Sequence, residues 1–293
     1  MLRGLYTAAS GMITEQRRHD TVTQNIANIN TPGYKQMNSV ARAFPEMLVS
    51  LVGDNTTGTR RIGKLNTGVF VEENLPFFMQ GDLRETGKNS DFALISNLQL
   101  EDPATGEPIP FDASGKYVTE DGEIIYRPSA FFSVMDSDGN VRYTRDGSFY
   151  VNPEGELRTM QGYQVLDSEG NAIVLGPDQP INSLQIDALG NLQINGEAID
   201  IQMGIAVVTR PQALFREGNG VYLVQDEEAA GVRALEEDEQ VQVKQGYIEG
   251  SNVSIAQSMV DLMAAQRAYE SNQKMIQYYD RSLDKAVNEI GRV

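Results

Sequence analysis

The sequence predicts an α+β protein, in which a β-rich central meander of the barrel or sandwich type is flanked by N- and C-terminal helices that pair. Heptad-spaced apolar residues at both ends predict the helices. Glycine-centred turns at short intervals predict the strands between them. We therefore divide the chain into an N-terminal helical segment (1–45), an acidic β-rich region (46–245) and a long C-terminal helix (246–293).

The composition excludes several kinds of functional site. The 293 residues include no cysteine, so neither a disulfide framework nor a thiolate metal site can form. His19 is the single histidine, which excludes a multi-histidine metal centre. We expect no catalytic residue, no metal and no cofactor. The net charge of −17, from 24 basic and 41 acidic residues, argues against nucleic acid and anionic membranes as partners.

The first predicted element is a helix over residues 2–30. One seam of this helix repeats every seven residues: Leu5, Met12, His19 and Ile26. The companion seam is half polar, so the helix would be marginal in water without a partner. We expect it to stop at Asn30-Thr31-Pro32-Gly33, because proline disfavours helical geometry in the preceding residue and glycine accepts a positive φ.

The middle of the chain predicts an antiparallel meander. Its turns centre on Gly139, Gly155, Gly170 and Gly190. Strands are predicted at Phe149–Val151, Tyr163–Leu166, Gly204–Thr209 and Val221–Val224. The spacing of Asp136, Asp138 and Asn140 fails the calcium-loop pattern, so we interpret it as a β-turn. The acidic run 236–239 is predicted to be a solvated loop.

The last predicted element is a helix over about 253–290. Its seam repeats every seven residues and is apolar throughout: Ile255, Leu262, Tyr269, Ile276, Leu283 and Ile290. Neither proline nor glycine interrupts it, and Ser251 or Asn252 is placed to cap its start. A helix of this length is roughly 55–60 Å long, so its apolar stripe needs a partner.

Charge separates the ends from the middle. Residues 1–50 carry five basic and three acidic side chains (+2), residues 246–293 carry five and six (−1), and the remainder carries 14 and 32 (−18). A near-neutral surface can pack on copies of itself, whereas a highly charged one stays solvated. We favour packing of the terminal helices between chains over a two-helix stalk within one chain.

Motifs at both ends and in the middle resemble one known family. Asn25–Lys35 (NIANINTPGYK) stands near the N-terminus, and Gln245–Val253 (QGYIEGSNV) stands near the C-terminus, followed by Gln266–Glu270 (QRAYE). Gly81–Gly87 (GDLRETG) and Tyr143–Phe149 (YTRDGSF) lie between them. In this order the motifs resemble those of bacterial flagellar rod and hook proteins, and the length is nearest to a distal-rod-like member.

The resemblance implies a non-enzymatic structural subunit of the flagellar basal body rod or the rod–hook region. Such proteins are exported unfolded by the flagellar type III apparatus, pair their terminal helices on the inside of a tube, and polymerise with copies of themselves and other axial proteins. This location agrees with the lack of a cleaved secretion signal and of any apolar run of about 20 residues. We also expect the ends to be largely disordered in the free monomer and to fold on docking.

The resemblance and the heptads together indicate where assembly depends on side chains. The candidate assembly residues are Asn25, Asn28, Thr31, Pro32, Gly33, Tyr34, Ser251, Asn252, Leu262, Arg267, Tyr269 and Ile276.

One stretch departs from the family pattern and leaves two alternatives open. Residues 96–130, rich in proline and glycine, are interpreted as an inserted loop or hairpin. The insertion could serve a surface adhesin as its binding loop. The acidic β-rich middle could instead belong to a secreted carbohydrate-active enzyme, which would need a pair of carboxylates in one cleft.

Overall fold

The computed structural model describes residues 2–51, 60–100, 106, 108–112, 115–119, 122–176, 181–194, 196–236 and 240–290. Its helices are α1 (Leu2–Ala27), α2 (Glu227–Ala230) and α3 (Ile255–Lys285), and α3 continues as a π-helical turn, Ala286–Ile290. Short 3-10 turns occupy Ile181–Ser183 and Pro211–Ala213.

The strands alternate with tight turns along the middle of the chain. In order they are β1 (Met37–Ala43), β2 (Met47–Leu51), β3 (Arg60–Leu65), β4 (Val69–Pro76), β5 (Leu83–Glu85), β6 (Phe92–Ser96), β7 (Lys116–Val118), β8 (Ile124–Tyr126), β9 (Ser129–Met135), β10 (Val141–Thr144), β11 (Phe149–Val151), β12 (Leu157–Thr159), β13 (Gln164–Val165), β14 (Leu184–Ile186), β15 (Asn191–Ile194), β16 (Glu197–Gln202), β17 (Ile205–Val208), β18 (Leu214–Gly218), β19 (Val221–Val224), β20 (Val232–Ala234), β21 (Val241–Gln245) and β22 (Tyr247–Glu249).

The chain forms two compact units. The terminal unit consists of Met1–Ala27, Met37–Leu75 and Ser254–Val293, and the central unit of Asn28–Gln36 and Pro76–Val253. This division differs from the predicted boundaries at 45/46 and 245/246. Residues 28–36 lie in the central unit, and β2, β3 and β4 extend the terminal unit past residue 45. At the other end, β22 pairs with β5 of the central unit before α3 begins.

The terminal unit combines the two long helices with four strands. α1 packs on α3, β1 pairs with β4, and β2 forms an antiparallel hairpin with β3. The apolar side chains that are buried in the described part of this unit are all small: Ala8, Val22 and Ala265. The terminal unit therefore has almost no hydrophobic core of its own.

The central unit is built around β9. This strand pairs with β10, β13 and β17, at the centre of a nine-stranded sheet. Large apolar side chains, including Phe92, Phe132 and Leu157, are fully buried and form one continuous core. The fold is therefore α+β, with a β-rich middle between terminal helices that pair, as the sequence predicts.

The predicted turns share one hydrogen-bonding pattern. In each, the side chain of the first residue accepts hydrogen bonds from two backbone N–H groups, two and four positions later. These first residues are Asp136, Asn152, Asp167 and Asp187. The glycine at the next-to-last position has a positive φ of 82–90° in every case, which glycine adopts at little cost. Asp136 is thus a turn residue, as predicted.

Predicted strands match the structure more closely than predicted helix ends do. Phe149–Val151 and Val221–Val224 are strands with the predicted bounds. In contrast, α1 ends at Ala27 and not at residue 30. Asn28 already forms a turn, since its backbone oxygen accepts from the N–H of Thr31 at 3.1 Å and its side-chain oxygen accepts from the Thr31 hydroxyl at 3.2 Å.

The predicted cap of the last helix is wrong by two or three residues. α3 begins at Ile255, and Ser254 is its N-cap, with a side-chain oxygen that accepts from the N–H of Gln257. Ser251 and Asn252 cannot cap it because their side chains are engaged elsewhere: the Ser251 hydroxyl accepts from the N–H of Val253, and the Asn252 amide binds other backbone groups.

The described part of the 96–130 insertion contains a β-hairpin. β7 pairs antiparallel with β8, with Tyr117 opposite Ile125. Residues 101–105, 107, 113, 114, 120 and 121 of the insertion lie outside the described residues, as do residues 237–239 of the predicted acidic loop. Among the described helices, none is both long enough and apolar enough to cross a membrane.

Candidate assembly site

A buried cluster of three charged side chains joins four sequence motifs within the central unit. The ammonium of Lys35 lies 2.5 Å from Oε1 of Glu249, and Nε of Arg145 lies 3.3 Å from Oε2 of the same carboxylate. All three side chains are at most 1% exposed. The backbone N–H of Gly81 donates to Oε1 of Glu249 at 2.9 Å. The cluster therefore fastens the N-terminal, C-terminal and two central motifs to one carboxylate.

Burial and the neighbouring charges have opposite effects on the pKa values of this cluster. Burial lowers the pKa of Lys35 to about 8, because a charged ammonium is disfavoured away from water and the attraction of Glu249 offsets this only in part. Burial alone would raise the pKa of Glu249, but the positive charges of Arg145 and Lys35 outweigh it and lower that pKa. Glu249 is thus held ionised at neutral pH.

Close backbone approach explains two glycines of these motifs. Gly33 has a φ of +66°, and a Cβ added there would stand 2.6 Å from the carbonyl carbon of Arg145 and from the nitrogen of Asp146. Its N–H donates to the backbone oxygen of Glu249 at 2.8 Å. A Cβ on Gly81 would collide with the backbone oxygen of Gly250. Any larger residue would force these segments apart.

Tyr34 and Asn252 complete the same region. The ring of Tyr34 is 2% exposed, and the guanidinium carbon of Arg216 lies 4.2 Å from its centre, within the range of a cation–π interaction. Oδ1 of Asn252 accepts from the N–H of Gln36 at 2.7 Å, and its Nδ2 donates to the backbone oxygen of Phe77 at 2.7 Å. Asn252 thus serves as a backbone bridge in the central unit.

In the terminal unit, Asn25 ties the end of α1 to β1. Its Nδ2 donates to the backbone oxygen of Met37 at 2.8 Å, and its Oδ1 accepts from the N–H of the same residue at 2.9 Å. The amide thus replaces a strand partner for Met37. Asn25 is 2% exposed, so both of its bonds are shielded from water.

The two long helices of the terminal unit run antiparallel and contact along rows of small and polar residues. A Cβ on Gly4 would collide with the hydroxyl of Tyr279, and one on Gly11 would stand 2.9 Å from Nδ2 of Asn272. Arg18 forms an ion pair with Asp261 at 3.7 Å. The row of α3 that faces α1 includes these buried or half-buried residues: Ser258, Leu262, Ala265, Tyr269, Ile276 and Leu283.

Other faces of these helices leave apolar side chains exposed. On α3, Ile255, Met259, Val260 and Met263 are between 51% and 55% exposed. Their spacing of four, one and three residues places them on one side of the helix. On α1, Tyr6 and Ile13 are exposed and lie seven residues apart. We call the four residues of α3 the exposed α3 patch.

The structure thus sorts the sequence-predicted residues into several places. Asn28, Thr31, Pro32, Gly33, Tyr34, Ser251 and Asn252 lie in the central unit, and Asn25 lies in the terminal unit. Leu262, Tyr269 and Ile276 are half-buried in the row of α3 that faces α1, whereas Arg267 is exposed.

Sequence reasoning missed Lys35, Arg145 and Glu249. All three stand inside the motifs that carry the resemblance, but a charged residue in a single sequence is normally assigned to the surface. Their burial depends on long-range contacts, such as the one between Lys35 and Glu249, which are 214 positions apart in the chain, and no local pattern reports such contacts. Within the described residues, no group of three or more histidine, cysteine, aspartate or glutamate side chains could hold a metal ion.

Comparison with known proteins gives matches at both ends and in the middle of the chain. The family described as "Flagella basal body rod protein" matches residues 5–35. "Flagellar hook protein FlgE/F/G D1 domain" matches residues 128–198, and "Flagellar basal body rod FlgEFG protein C-terminal" matches residues 244–289.

Full-length relatives agree with these family matches. The flagellar hook-basal body complex protein FlhO of Bacillus subtilis (strain 168) is 36% identical over 296 residues, which cover 100% of both chains. The flagellar basal-body rod protein FlgG of Borreliella burgdorferi (strain ATCC 35210 / DSM 4680 / CIP 102532 / B31) is 31% identical over 98% of both chains. The flagellar hook-basal body complex protein FlhP of B. subtilis is 26% identical over 97% of both.

Proposed function

Because the chain belongs to the family of flagellar basal-body rod and hook-basal body proteins, and is a structural subunit of the flagellum, we propose that it polymerises with copies of itself and with other axial flagellar proteins through its terminal helices. The observation that carries this proposal is the lack of a core in the terminal unit. Among its described apolar side chains, only Ala8, Val22 and Ala265 are buried.

The exposed α3 patch supplies the apolar surface that a neighbouring subunit would cover. Its four side chains form a contiguous stripe on a helix that already packs on α1 with another face. Burying such a stripe favours association by about 25 cal/mol for each Å² of apolar surface that is removed from water. Contiguous apolar patches of this kind mark protein contacts.

Charge also supports contacts between copies of the chain. α3 carries four basic residues (Arg267, Lys274, Arg281, Lys285) and four acidic ones (Asp261, Glu270, Asp280, Asp284), so its net charge is zero. Close packing of many copies therefore incurs little repulsion along this helix. An interface between unlike surfaces that does not close on itself generates a helical tube.

The buried cluster has a supporting part in this proposal. Since Lys35, Arg145 and Glu249 are fully buried within the central unit, they do not offer a contact surface to another subunit. They instead fix the geometry of Asn28–Gln36 against residues 246–253. We propose that Tyr34, Asn252 and their neighbours act in assembly by holding these segments in one arrangement.

The test replaces Met259 and Met263 by glutamate in one variant, with Met160→Glu as the matched control. Met160 is also exposed but lies in a turn of the central unit. The double variant is expected to lose incorporation into isolated basal bodies and to lose swimming, while its circular dichroism stays that of the parent. Normal incorporation of the double variant would contradict the proposal.

We propose further that the chain reaches the growing rod through the flagellar type III export apparatus. In a strain that lacks this apparatus, the tagged chain should accumulate in the cytoplasm and be absent from the exported fraction. Unchanged export from that strain would exclude this route.

A further inference from the structure

Two exposed apolar surfaces of the terminal unit lie on different helices. On α3 this surface is the exposed α3 patch. On α1, Tyr6 is 66% exposed and Ile13 is 54% exposed, and we call these two side chains the exposed α1 pair. Their spacing of seven residues places them on one face of the helix. Each surface is left without a partner in the described part of a single chain.

The two surfaces face away from each other. On α1, Ile13 follows Gly11, which contacts α3, by two positions. Two positions correspond to about 200° around an α-helix, so the exposed α1 pair faces away from α3. On α3, Met263 stands two positions before Ala265, which is fully buried in the row that faces α1. The pair of helices therefore presents one apolar surface on each of two opposite sides.

The two surfaces also lie at different heights along the antiparallel helices. Gly11 lies level with Asn272, and Arg18 pairs with Asp261 at 3.7 Å. These contacts place the exposed α1 pair level with residues 266–277 of α3, whereas the exposed α3 patch occupies residues 255–263. The centres of the two surfaces are thus about 16–22 Å apart along the helix axis, at about 1.5 Å per residue.

The two surfaces match in length. Tyr6 and Ile13 are separated by about 10.5 Å along α1, and the exposed α3 patch extends over about 12 Å. When an α1 helix and an α3 helix run in opposite directions, Tyr6 falls beside Met263. Ile13 then falls beside Ile255, and the flexible side chain of Met259 fills the space between them.

Two aromatic rings add apolar surface on the same side of α1. Phe44 and Phe70 are exposed, and their ring centres are 5.1 Å apart. Phe70 follows Val69, whose backbone N–H donates to the Ser10 hydroxyl at 3.3 Å. β4 therefore passes α1 at the height of the exposed α1 pair, and a second helix seated there contacts more apolar surface than the pair alone provides.

Charges at the edges of the two surfaces favour one direction of pairing. Arg3 and Glu270 are exposed, and neither forms an ion pair among the residues that the structure describes. With the helices antiparallel, Arg3 falls within about one helical turn of Glu270, which is a distance that an arginine side chain spans. In the reverse direction Arg3 would lie beyond Ile255, where α3 begins. Opposite charges at the edge of a contact fix its register.

We propose that the exposed α1 pair of one copy packs on the exposed α3 patch of the next copy, with the two helices antiparallel and the copies displaced by about 20 Å along the helix axis. This proposal rests on the assembly through terminal helices proposed above and names the surface that covers the patch. Because the two surfaces differ and face in opposite directions, the contact does not close on a pair of copies. Repeating the displacement gives a helical rise and not a flat ring.

Cysteine cross-linking tests the pairing directly, because the chain contains no cysteine of its own and a disulfide forms only where two Cα atoms lie within about 7 Å. Cells produce two differently tagged copies, one with Tyr6→Cys and the other with Met263→Cys, and the isolated basal bodies are oxidised mildly. We expect a disulfide-linked dimer that carries both tags. Ile13→Cys with Ile255→Cys examines the other end of the contact independently and should give the same product.

Three further combinations test the alternatives, and a dimer from any of them in place of the expected one would overturn the proposal. Met263→Cys produced alone would dimerise if the patch covered itself. Tyr6→Cys with Tyr278→Cys would do so if the copies were not displaced, since Tyr278 is exposed on α3 at the height of Tyr6. Tyr6→Cys with Ile255→Cys would do so if the helices ran in the same direction.

A charge exchange gives a second test that needs no cysteine. Arg3→Glu and Glu270→Arg, each as the only copy in the cell, are expected to lower the amount of chain in isolated basal bodies by about 2- to 5-fold. The variant with both substitutions should recover the amount found for the parent. Asp280→Arg, at another exposed position of α3, should not restore Arg3→Glu. Losses that simply add in the double variant would contradict the pairing.

The cross-links separate this proposal from the proposed assembly through the terminal helices. If the double glutamate variant at Met259 and Met263 is lost from basal bodies but neither expected cysteine pair gives a mixed dimer, the patch is an assembly surface and the proposed pairing is wrong. Mixed dimers from both expected pairs, with none from the three alternatives, establish the pairing.

Discussion

At the residue scale, Glu249 has the greatest influence on the central unit because one carboxylate neutralises two buried cations. Lys35 and Arg145 both contact it, and Gly81 donates a backbone hydrogen bond to it. A buried charge that loses its partner is far more costly than a buried pair that is removed as a whole. The three charged residues should therefore respond unequally to substitution.

Glu249→Gln is expected to destabilise the chain by about 3–5 kcal/mol, since it leaves two buried cations without a counter-charge. Lys35→Met should cost less than about 2 kcal/mol of stability, because two oxygen atoms beside the lost ammonium retain another hydrogen-bond donor. Oε1 of Glu249 still accepts from the N–H of Gly81, and the backbone oxygen of Met79 still accepts from Nδ2 of Asn252. Denaturant unfolding measures both values.

The control for this pair is Lys64→Met, which removes an exposed ion pair with Glu46 and should change stability by less than about 0.5 kcal/mol. A Lys35→Met variant less stable than Glu249→Gln would contradict the assignment of Glu249 as the shared counter-charge.

The pKa of Lys35 predicts a pH dependence of stability. It is about 8 in the folded chain, below the value of 10.5 for an ordinary lysine, so the unfolded chain holds more protons between these two values. Stability due to Lys35 therefore rises as pH increases through that window, by at most about 3 kcal/mol. Burial raises the pKa of Tyr143 to about 12, which acts in the opposite direction above pH 10.

The measurement is the free energy of unfolding of the parent minus that of Lys35→Met, at several pH values from 7 to 10. Tyrosine effects cancel in this difference. We expect the difference to increase with pH, and a constant difference would show that Lys35 does not titrate in this window.

Alanine substitutions at Gly33 and Gly87 distinguish the cost of backbone strain from the cost of a steric collision. Both glycines have a φ of about +66°, so alanine at either position introduces about 1 kcal/mol of backbone strain. Only at Gly33 does the added Cβ also meet backbone atoms, at 2.6 Å, whereas nothing lies within 4 Å at Gly87. Gly33→Ala should thus lose more stability than Gly87→Ala, by at least about 1 kcal/mol in thermal or chemical unfolding. Equal losses would indicate that the segment around Gly33 relaxes freely.

At the element scale, the pairing of α1 with α3 depends on small residues rather than on a wide apolar seam. The predicted heptad of α3 does face a partner, but that partner is α1 of the same chain, and the contact row contains glycine, alanine, serine and asparagine as well as Leu262 and Ile276. The single chain therefore contains the two-helix arrangement, and the apolar side chains of the exposed α3 patch lie on a different face of α3.

Ala265→Asp should separate the two helices, because Ala265 is fully buried and a carboxylate there would lack a partner. Ala264→Asp is the control, since Ala264 is exposed on the same helix. We expect a loss of helical circular dichroism and a fall in Tm for the first variant and a change within about 0.5 kcal/mol for the second. A similar loss in both would show that helix propensity, and not packing, controls this element.

At the scale of the whole molecule, the two units differ in how much apolar surface they bury. The central unit has a continuous core of phenylalanine, leucine, isoleucine and valine side chains, whereas the described part of the terminal unit buries only small apolar residues. Local stability follows such differences in burial. The export and polymerisation that we propose would both be favoured by ends that become stable only in the assembly.

Limited proteolysis of dilute chain is expected to cut the terminal unit first and to leave a resistant fragment that contains Pro76–Val253. In isolated basal bodies the same sites should be protected, because neighbouring subunits then cover the exposed α3 patch. Fragment masses from mass spectrometry give the order of cleavage. Equal resistance of both units in the dilute chain would contradict this difference in stability.

The sequence by itself determined the class of fold, most turns and several strands, and the family. Asx–glycine turns at positions 136–140 and 187–191 and alternation in short strands are local signals, since they depend on φ angles and on side chains a few residues apart. The motifs at the two ends indicated the family for the same reason: each is a short, contiguous pattern.

Only the tertiary structure decided which charged residues are buried and which face of α3 is free. Lys35 and Glu249 look like surface residues in the sequence, and the heptad of α3 does not reveal whether its partner is α1 or another chain. Both questions depend on contacts between segments more than 200 residues apart, where burial and charge pairing are set by the packing of the whole unit and leave no local periodicity to be recognised.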